Sequence, residues 1–174
     1  MEIGNYIKKY KKKKIFDHES EGAIKTDYGL EDIYKMIPNR KPFVYLDKIT
    51  GIDLLNQAIT GERFIDPDDS VFTGHFPGNP VYPGVLQLEM ISELFCCLYY
   101  FVSRNKTGVD DNGPVQLRAT RMYDCLLQKG VFPGDRLHIA TAVIENNGLT
   151  FTGVGQIIKD DEICVVVVGE FYII

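Results

Sequence analysis

At 174 residues, 45% of them hydrophobic, the chain is long enough to bury one core and too short for two ordinary domains. Its net charge of -5 excludes the broad basic face that a nucleic-acid binder needs. The four cysteines (Cys96, Cys97, Cys125, Cys164) lack metal-ligand spacing and three lie in apolar stretches, so buried free thiols, no metal and a reducing, cytoplasmic setting are expected.

Residues 1–26 read as a Lys-rich extension. Ile3, Tyr6, Ile7 and Tyr10 recur at helical spacing before the lysines of Lys8 to Lys14 and an acidic patch, so a short docking helix and a flexible tail both fit. The lysines read first as a solvated face. They lead into Ile15-Phe16-Asp17-His18 and not into the apolar core of a secretory signal. The longest apolar run, Leu94 to Val102, is too short to span a bilayer, so no membrane partner is expected.

Residues 27–174 read as a single domain. Leu30, Ile33, Tyr34 and Ile37 mark a short amphipathic helix on a sheet edge, with Asp27 as its cap and Pro38 as its stop. Phe43 to Thr50 and Ala58 to Ile65 read as a strand pair. A helix then starts at Pro83-Gly84 and stays apolar almost all round until Ser103 to Gly108 stops it, which makes it the core element. Only Gln87, Glu89, Ser92 and Glu93 interrupt it, and the last three share one face. From residue 115 onward strands and turns read as a long antiparallel meander. In it Leu137 to Ile144 has little charge on either face, so both faces are expected to be covered, as in a dimer. The sum is an α+β fold, an antiparallel sheet wrapped round one long helix.

The loop before that helix, Gly74 to Gly84, is stiff with glycine and proline and offers one imidazole, His75. That ring is a natural proton acceptor, although a structural hydrogen bond competes as its role. Glu89 sits in apolar sequence, where desolvation favours the neutral acid; a buried pairing with arginine or lysine is equally open. Glu93, one turn on, repels Glu89 when both are ionised. Gly84 opens the helix, where free N–H groups gather, and is either an oxyanion site or a plain helix start. A base, an acid and an oxyanion site suffice for β-elimination of water from a 3-hydroxyacyl thioester.

Gly74-His75-Phe76-Pro77-Gly78-Asn79-Pro80, then Pro83-Gly84-Val85-Leu86 and Leu88-Glu89, resemble the signature of the β-hydroxyacyl-(acyl carrier protein) dehydratases, a hotdog-fold family. Ile37-Pro38-Asn39-Arg40-Lys41-Pro42-Phe43, Leu46-Asp47 and Val131-Phe132-Pro133-Gly134-Asp135 extend the resemblance over about residues 30–174. Glutamate at position 89 is similar to the FabZ-type branch more than to the FabA-type dehydratase-isomerases. The resemblance implies that His75 removes the α-proton, Glu89 protonates the leaving hydroxyl or positions the water, and the Gly84 N–H holds the thioester oxygen. It further implies a site shared across a homodimer, trimers of such dimers, and no cofactor beyond the phosphopantetheine of an acyl carrier protein. An acyl tunnel runs by Phe76, Tyr82 and Val85 on this reading, and Arg118, Arg121, Arg136 or Lys8 to Lys14 receive the carrier.

Asn39, Glu93 and Tyr82 depart from the histidine, glutamine and smaller or more flexible residue usual in the family. Glu93 is therefore expected to modulate Glu89, Tyr82 to narrow the tunnel mouth, and the substrate to belong to fatty-acid or to specialised polyene or polyketide-like synthesis. A catalytically weak subunit that binds an acyl chain or supports an active partner, a dehydratase-isomerase and an acyl thioesterase are the alternatives.

Overall fold

Three strands precede the long helix and four come after it in the computed structural model, which describes residues 3–174. In chain order the elements are α1 (Ile3–Tyr10), β1 (Ala23–Tyr28), α2 (Leu30–Met36), β2 (Lys48–Asp53), β3 (Ala58–Phe64), a 3-10 turn (Ser70–Thr73), α3 (Gly84–Arg104), β4 (Leu117–Leu127), β5 (Arg136–Asn146), β6 (Thr150–Lys159) and β7 (Glu162–Ile173). The seven strands form one antiparallel sheet in the order β1-β2-β3-β5-β6-β7-β4. It wraps round α3, which is the hotdog arrangement. Of the four strands after α3, β5, β6 and β7 form a meander and β4 lies outside β7 as the sheet's edge, so the expected run from residue 115 onward is corrected at its first strand.

Helix α3 has 21 residues and a mean hydropathy of 1.5, long and apolar enough to cross a bilayer by length and composition. Its burial accounts for that composition: Met90, Ile91, Leu94, Phe95, Cys97, Leu98 and Phe101 are all within 1% of full burial. Two glycines of β6 let it settle onto the sheet, since a Cβ at Gly155 would meet Ile91 Cγ2 at 2.2 Å and one at Gly153 would meet Phe95 Cε1 at 2.2 Å. Asn105, in the left-handed region at φ 48°, ends the helix by donating its N–H to the Phe101 and Val102 carbonyls.

Strand β5 turns Leu137, Ile139 and Thr141 inward, and Ala140 and Ala142 outward. The outer face is covered by the chain's own N-terminal segment, so no second subunit is needed there. Ile7 packs with Val154, Val166 and Val168, while Phe16 packs with Ala58 and Ala140. Gln156, fully buried, clasps the segment: its Oε1 accepts the Ile15 N–H at 2.8 Å, and its Nε2 donates to the Lys13 carbonyl at 2.7 Å and to that of Tyr10. Of the two readings of residues 3–26, the docking helix describes α1, and the expected boundary between residues 26 and 27 falls inside β1.

Two further local expectations are corrected. Asp27 lies in β1, and the N-cap of α2 is Gly29, with no side-chain cap. Regular pairing in the first of the two expected strands begins at Lys48 and not at Phe43; upstream the Tyr45 N–H is taken by a side chain, donating to Glu93 Oε2 at 2.8 Å.

Candidate active site

The stiff loop does more than present His75; it selects the tautomer. A 3-10 turn delivers the chain to His75, whose N–H donates to the Val71 carbonyl at 3.0 Å, and Val81 N–H returns to the His75 carbonyl at 2.9 Å. The ring's Nδ1 lies 2.7 Å from the Val81 carbonyl. A carbonyl only accepts, so Nδ1 carries the hydrogen and the neutral ring keeps its lone pair on Nε2. Phe76 stacks on the ring at 4.0 Å between centroids. The imidazole is thus oriented as a proton acceptor at Nε2.

Helix α3 begins immediately beyond the loop. Pro83 is its N-cap, and the Pro83 carbonyl takes the Leu86 and Gln87 N–H groups at 3.1 and 3.3 Å, leaving those of Gly84 and Val85 without an acceptor among the described residues. They stand at the positive end of the helix. A Cβ at Gly84 would meet Leu127 Cδ1 at 2.9 Å, so the missing side chain keeps this end open. Val85 is 72% exposed beside it. Gly84→Ala is expected to keep the fold, because only the tip of Leu127 must shift, but to lower kcat/KM about tenfold to a hundredfold by crowding the approach to these N–H groups. Unchanged steady-state kinetics in that variant would remove Gly84 from the site.

One turn into the helix, Glu89, Ser92, Glu93 and Cys96 line a cleft of about 180 Å³ with Asn39, Leu117, Ala119 and Phe171. Glu89 is half-buried, and burial raises its carboxyl above the usual range while the Asn39 amide draws it back. Glu93 is only 2% exposed. Burial pushes its carboxyl up to about 8, with the Glu89 charge adding to the rise and the N–H groups of Tyr45, Leu46 and Asn39 opposing it. Asn39 Nδ2 lies 3.5 Å from Glu89 Oε1 and 3.3 Å from Glu93 Oε1.

Sequence reasoning marked Asn39 only as a substitution. Its spacing from residues 89 and 93 carries no signal, because the contact depends on the irregular segment after α2. Tyr82 is buried; its ring meets Phe72, and its hydroxyl has no partner among the described residues. His75 is not among the cleft-lining residues, so one chain brings Glu89, Glu93 and Asn39 together and leaves the imidazole elsewhere.

The family model described as a FabA-like domain matches residues 37–167, which include His75, Gly84, Glu89, Glu93 and Asn39. The chain belongs to the FabA-like family. Within it, the 3-hydroxyacyl-(acyl-carrier-protein) dehydratase FabZ of Sulfurimonas denitrificans is 35% identical over 135 residues, 75% of this chain and 86% of the relative. The FabZ of Rickettsia bellii is 36% identical over 114 residues, 66% of this chain and 74% of the relative. Among solved structures, the dehydratase heterocomplex ApeI:P of Xenorhabdus doucetiae aligns with a TM-score of 0.64 at 13% identity, covering 82% of this chain and 90% of that one, which bears on the fold alone. Helix α1, strand β1 and helix α2 precede the matched FabA-like region.

The raised carboxyl of Glu93 has a stability consequence. A folded value near 8 against an ordinary 4.5 means that the native state holds a proton the unfolded chain releases between those pH values. The contribution is therefore fully present below pH 4.5 and lost as pH rises through 8. Glu93→Gln does not titrate and keeps an acceptor for the Tyr45 N–H. It is expected to melt about 5–10 °C above the wild type at alkaline pH, with the gap shrinking toward acid. Thermal melts at several pH values check this, and a gap independent of pH rules out a buried, proton-holding Glu93.

Proposed function

We propose that the protein dehydrates a 3-hydroxyacyl thioester on acyl carrier protein to the trans-2-enoyl thioester, reversibly, with His75 as base and Glu89 as acid. The observation that carries this reading is the Nδ1–H of His75 held on the Val81 carbonyl, which leaves Nε2 free to take a proton. Nε2 removes the α-proton, and the electron pair of that C–H bond moves toward the thioester carbonyl, whose oxygen faces the Gly84 and Val85 N–H groups. The double bond forms as the β C–O bond breaks, and the Glu89 proton leaves with the hydroxyl as water. The imidazolium and carboxylate that remain return to their starting states by exchange with solvent. These groups are all protein groups; the phosphopantetheine arm belongs to the carrier, and no other cofactor is required for these steps.

The acid and base meet across a dimer on this reading. Strand β4 is a long edge, exposed along nearly all of its length and carrying Met122, Tyr123 and Leu127 outward. An unpaired, partly apolar edge of that kind suits pairing with a second copy. The Glu89 cleft is lined by Leu117 and Ala119 of the same strand, so the pairing brings the partner subunit's His75 toward it. Arg118 and Arg121 then fall within the interface. Lys8 to Lys14, displayed on a clasped segment, and Arg136 are left to meet the acidic carrier in a cytoplasmic setting.

Hydration of a carrier-bound trans-2-enoyl thioester, followed by loss of its conjugated absorbance, tests the reading. Turnover by the wild type is expected. Its absence would point instead to a catalytically weak subunit that binds the chain for an active partner.

A further inference from the structure

Two carboxyls one turn apart, in a cleft with no cation assigned to either, pose a charge problem. Among the described residues no lysine or arginine forms an ion pair with Glu89 or Glu93. The nearest guanidinium in sequence is turned to other work: Arg40, next to Asn39, donates to the Tyr34, Ile37 and Asn39 carbonyls at 2.8–3.0 Å and lies over the Tyr34 ring. From α3 the groups that bear on the pair are the two carboxyls themselves and the thiols of Cys96 and Cys97; from the segments packed on it they are the phenols of Tyr45 and Tyr82. Arg63 of β3 bears on those two phenols and forms its ion pair with Asp47. A second negative charge has nothing here to offset it.

We propose that Glu93 and Asn39 are positioning residues for the acid, forming a carboxyl–amide–carboxyl bridge in which Glu93 keeps its own proton while Glu89 donates, so that the pair carries at most one negative charge over the working pH range. This rests on Glu89 being the acid of the dehydration proposed above. The geometry is that of a bridge: Asn39 Nδ2 reaches both Oε1 atoms at 3.5 and 3.3 Å, and the Tyr45 N–H pins the far oxygen of Glu93 at 2.8 Å. Glu93 is enclosed, whereas Glu89 is half-buried at the cleft, so one carboxyl is placed to react and the other to answer its charge. When Glu89 gives its proton to the leaving hydroxyl, a neutral Glu93 keeps the bridge at a single negative charge, and the Asn39 N–H steadies it. When Glu93 ionises, its repulsion raises the affinity of Glu89 for a proton. The pair therefore titrates as one system, and Glu89 keeps part of its proton further into the alkaline range than a lone acid does. Burial of Glu93, which pushes its carboxyl up to about 8, agrees with that division of roles.

The test is Glu93→Gln, which preserves size and the acceptor for the Tyr45 N–H. In the wild type the alkaline limb of kcat/KM against pH is expected to be shallow and extended. In Glu93→Gln it should steepen to a single ionisation, and the ratio of variant to wild-type kcat/KM should fall about tenfold between neutral and alkaline pH. A purely structural role for Glu93 gives a ratio that is constant with pH, and that result overturns the bridge. Carbon-13 titration of the glutamate carboxyls, independent of turnover, separates this from failure of the dehydratase reading. Glu89 should titrate in two phases in the wild type and one in Glu93→Gln. A single phase for Glu89 in the wild type overturns the bridge even if the enzyme is active; two phases in a protein without dehydratase turnover support the bridge and remove only the reaction.

Discussion

Mixing inactive His75→Ala and Glu89→Gln chains, unfolded and refolded together, is expected to restore about a quarter of wild-type turnover. Each variant alone should lose about 10²–10⁴-fold in kcat/KM, the range for removing a general acid or base. The recovery is a matter of where the groups stand. His75 is held by Val71 and Val81 in the loop before α3, whereas Glu89 lies in a cleft beside edge strand β4. If each site draws its base from one subunit and its acid from the other, a mixed dimer contains one site with both groups intact and one with neither. Random association makes about half the dimers mixed, each with one working site of two, hence the quarter. Refolded mixtures that stay as inactive as the separate variants would falsify the shared site and place both groups in one chain.

Removal of residues 1–16 is expected to lower the melting temperature by about 10–20 °C and to produce concentration-dependent self-association. Burial of Ile7 and Phe16 is worth about 1.5–3 kcal/mol each. Removing their segment also strips Gln156 of the groups it clasps, and a buried amide left without partners costs about 1–3 kcal/mol. The outer face that emerges, Val154, Val166, Val168, Ala140 and Ala142, is apolar and continuous with the sheet. Pairing Gln156→Leu with the truncation separates the two contributions: an apolar residue at 156 removes the orphaned amide but not the exposed face. It should therefore recover part of the melting temperature and none of the solubility. A truncated chain that melts with the wild type and stays dispersed shows the segment to be ornament. Differential scanning fluorimetry and gel filtration read both quantities.

Helix α3 was legible because its composition is extreme: an apolar surface on every side has few stable homes other than the middle of a wrapped sheet. The strands from Ala58 onward were legible for the opposite reason, their two-residue alternation and the punctuation at Gly134, Gly148 and the Asp160-Asp161 turn, all at positive φ. Strand β1 was missed because Ala23–Tyr28 lies at the sheet's edge and most of its side chains are exposed or only partly buried, so no apolar rhythm announces it. The cover on the outer face was missed for a related reason. Small residues such as Ala140 and Ala142 signal that something packs closely, but not whether it is another subunit or the same chain some 125 residues earlier in the sequence. Motif spacing singled out His75, Gly84 and Glu89, which lie in or just after one continuous loop-to-helix stretch. It could not find the Asn39 contacts or the Tyr45 N–H on Glu93, because an irregular segment brings them there.

The apolarity of α3 also imposes an order on events at the ribosome. Fifty-five residues separate Arg104 from Lys159, the end of β6, which with β5 closes over the helix. At about 5–20 residues per second, that leaves the segment without its cover for roughly 3–11 s. During that interval its apolar faces stand open to solvent, with the length and hydropathy that would suit a membrane span. The strands made before it, β2 and β3, give it one partial wall to rest on while it waits.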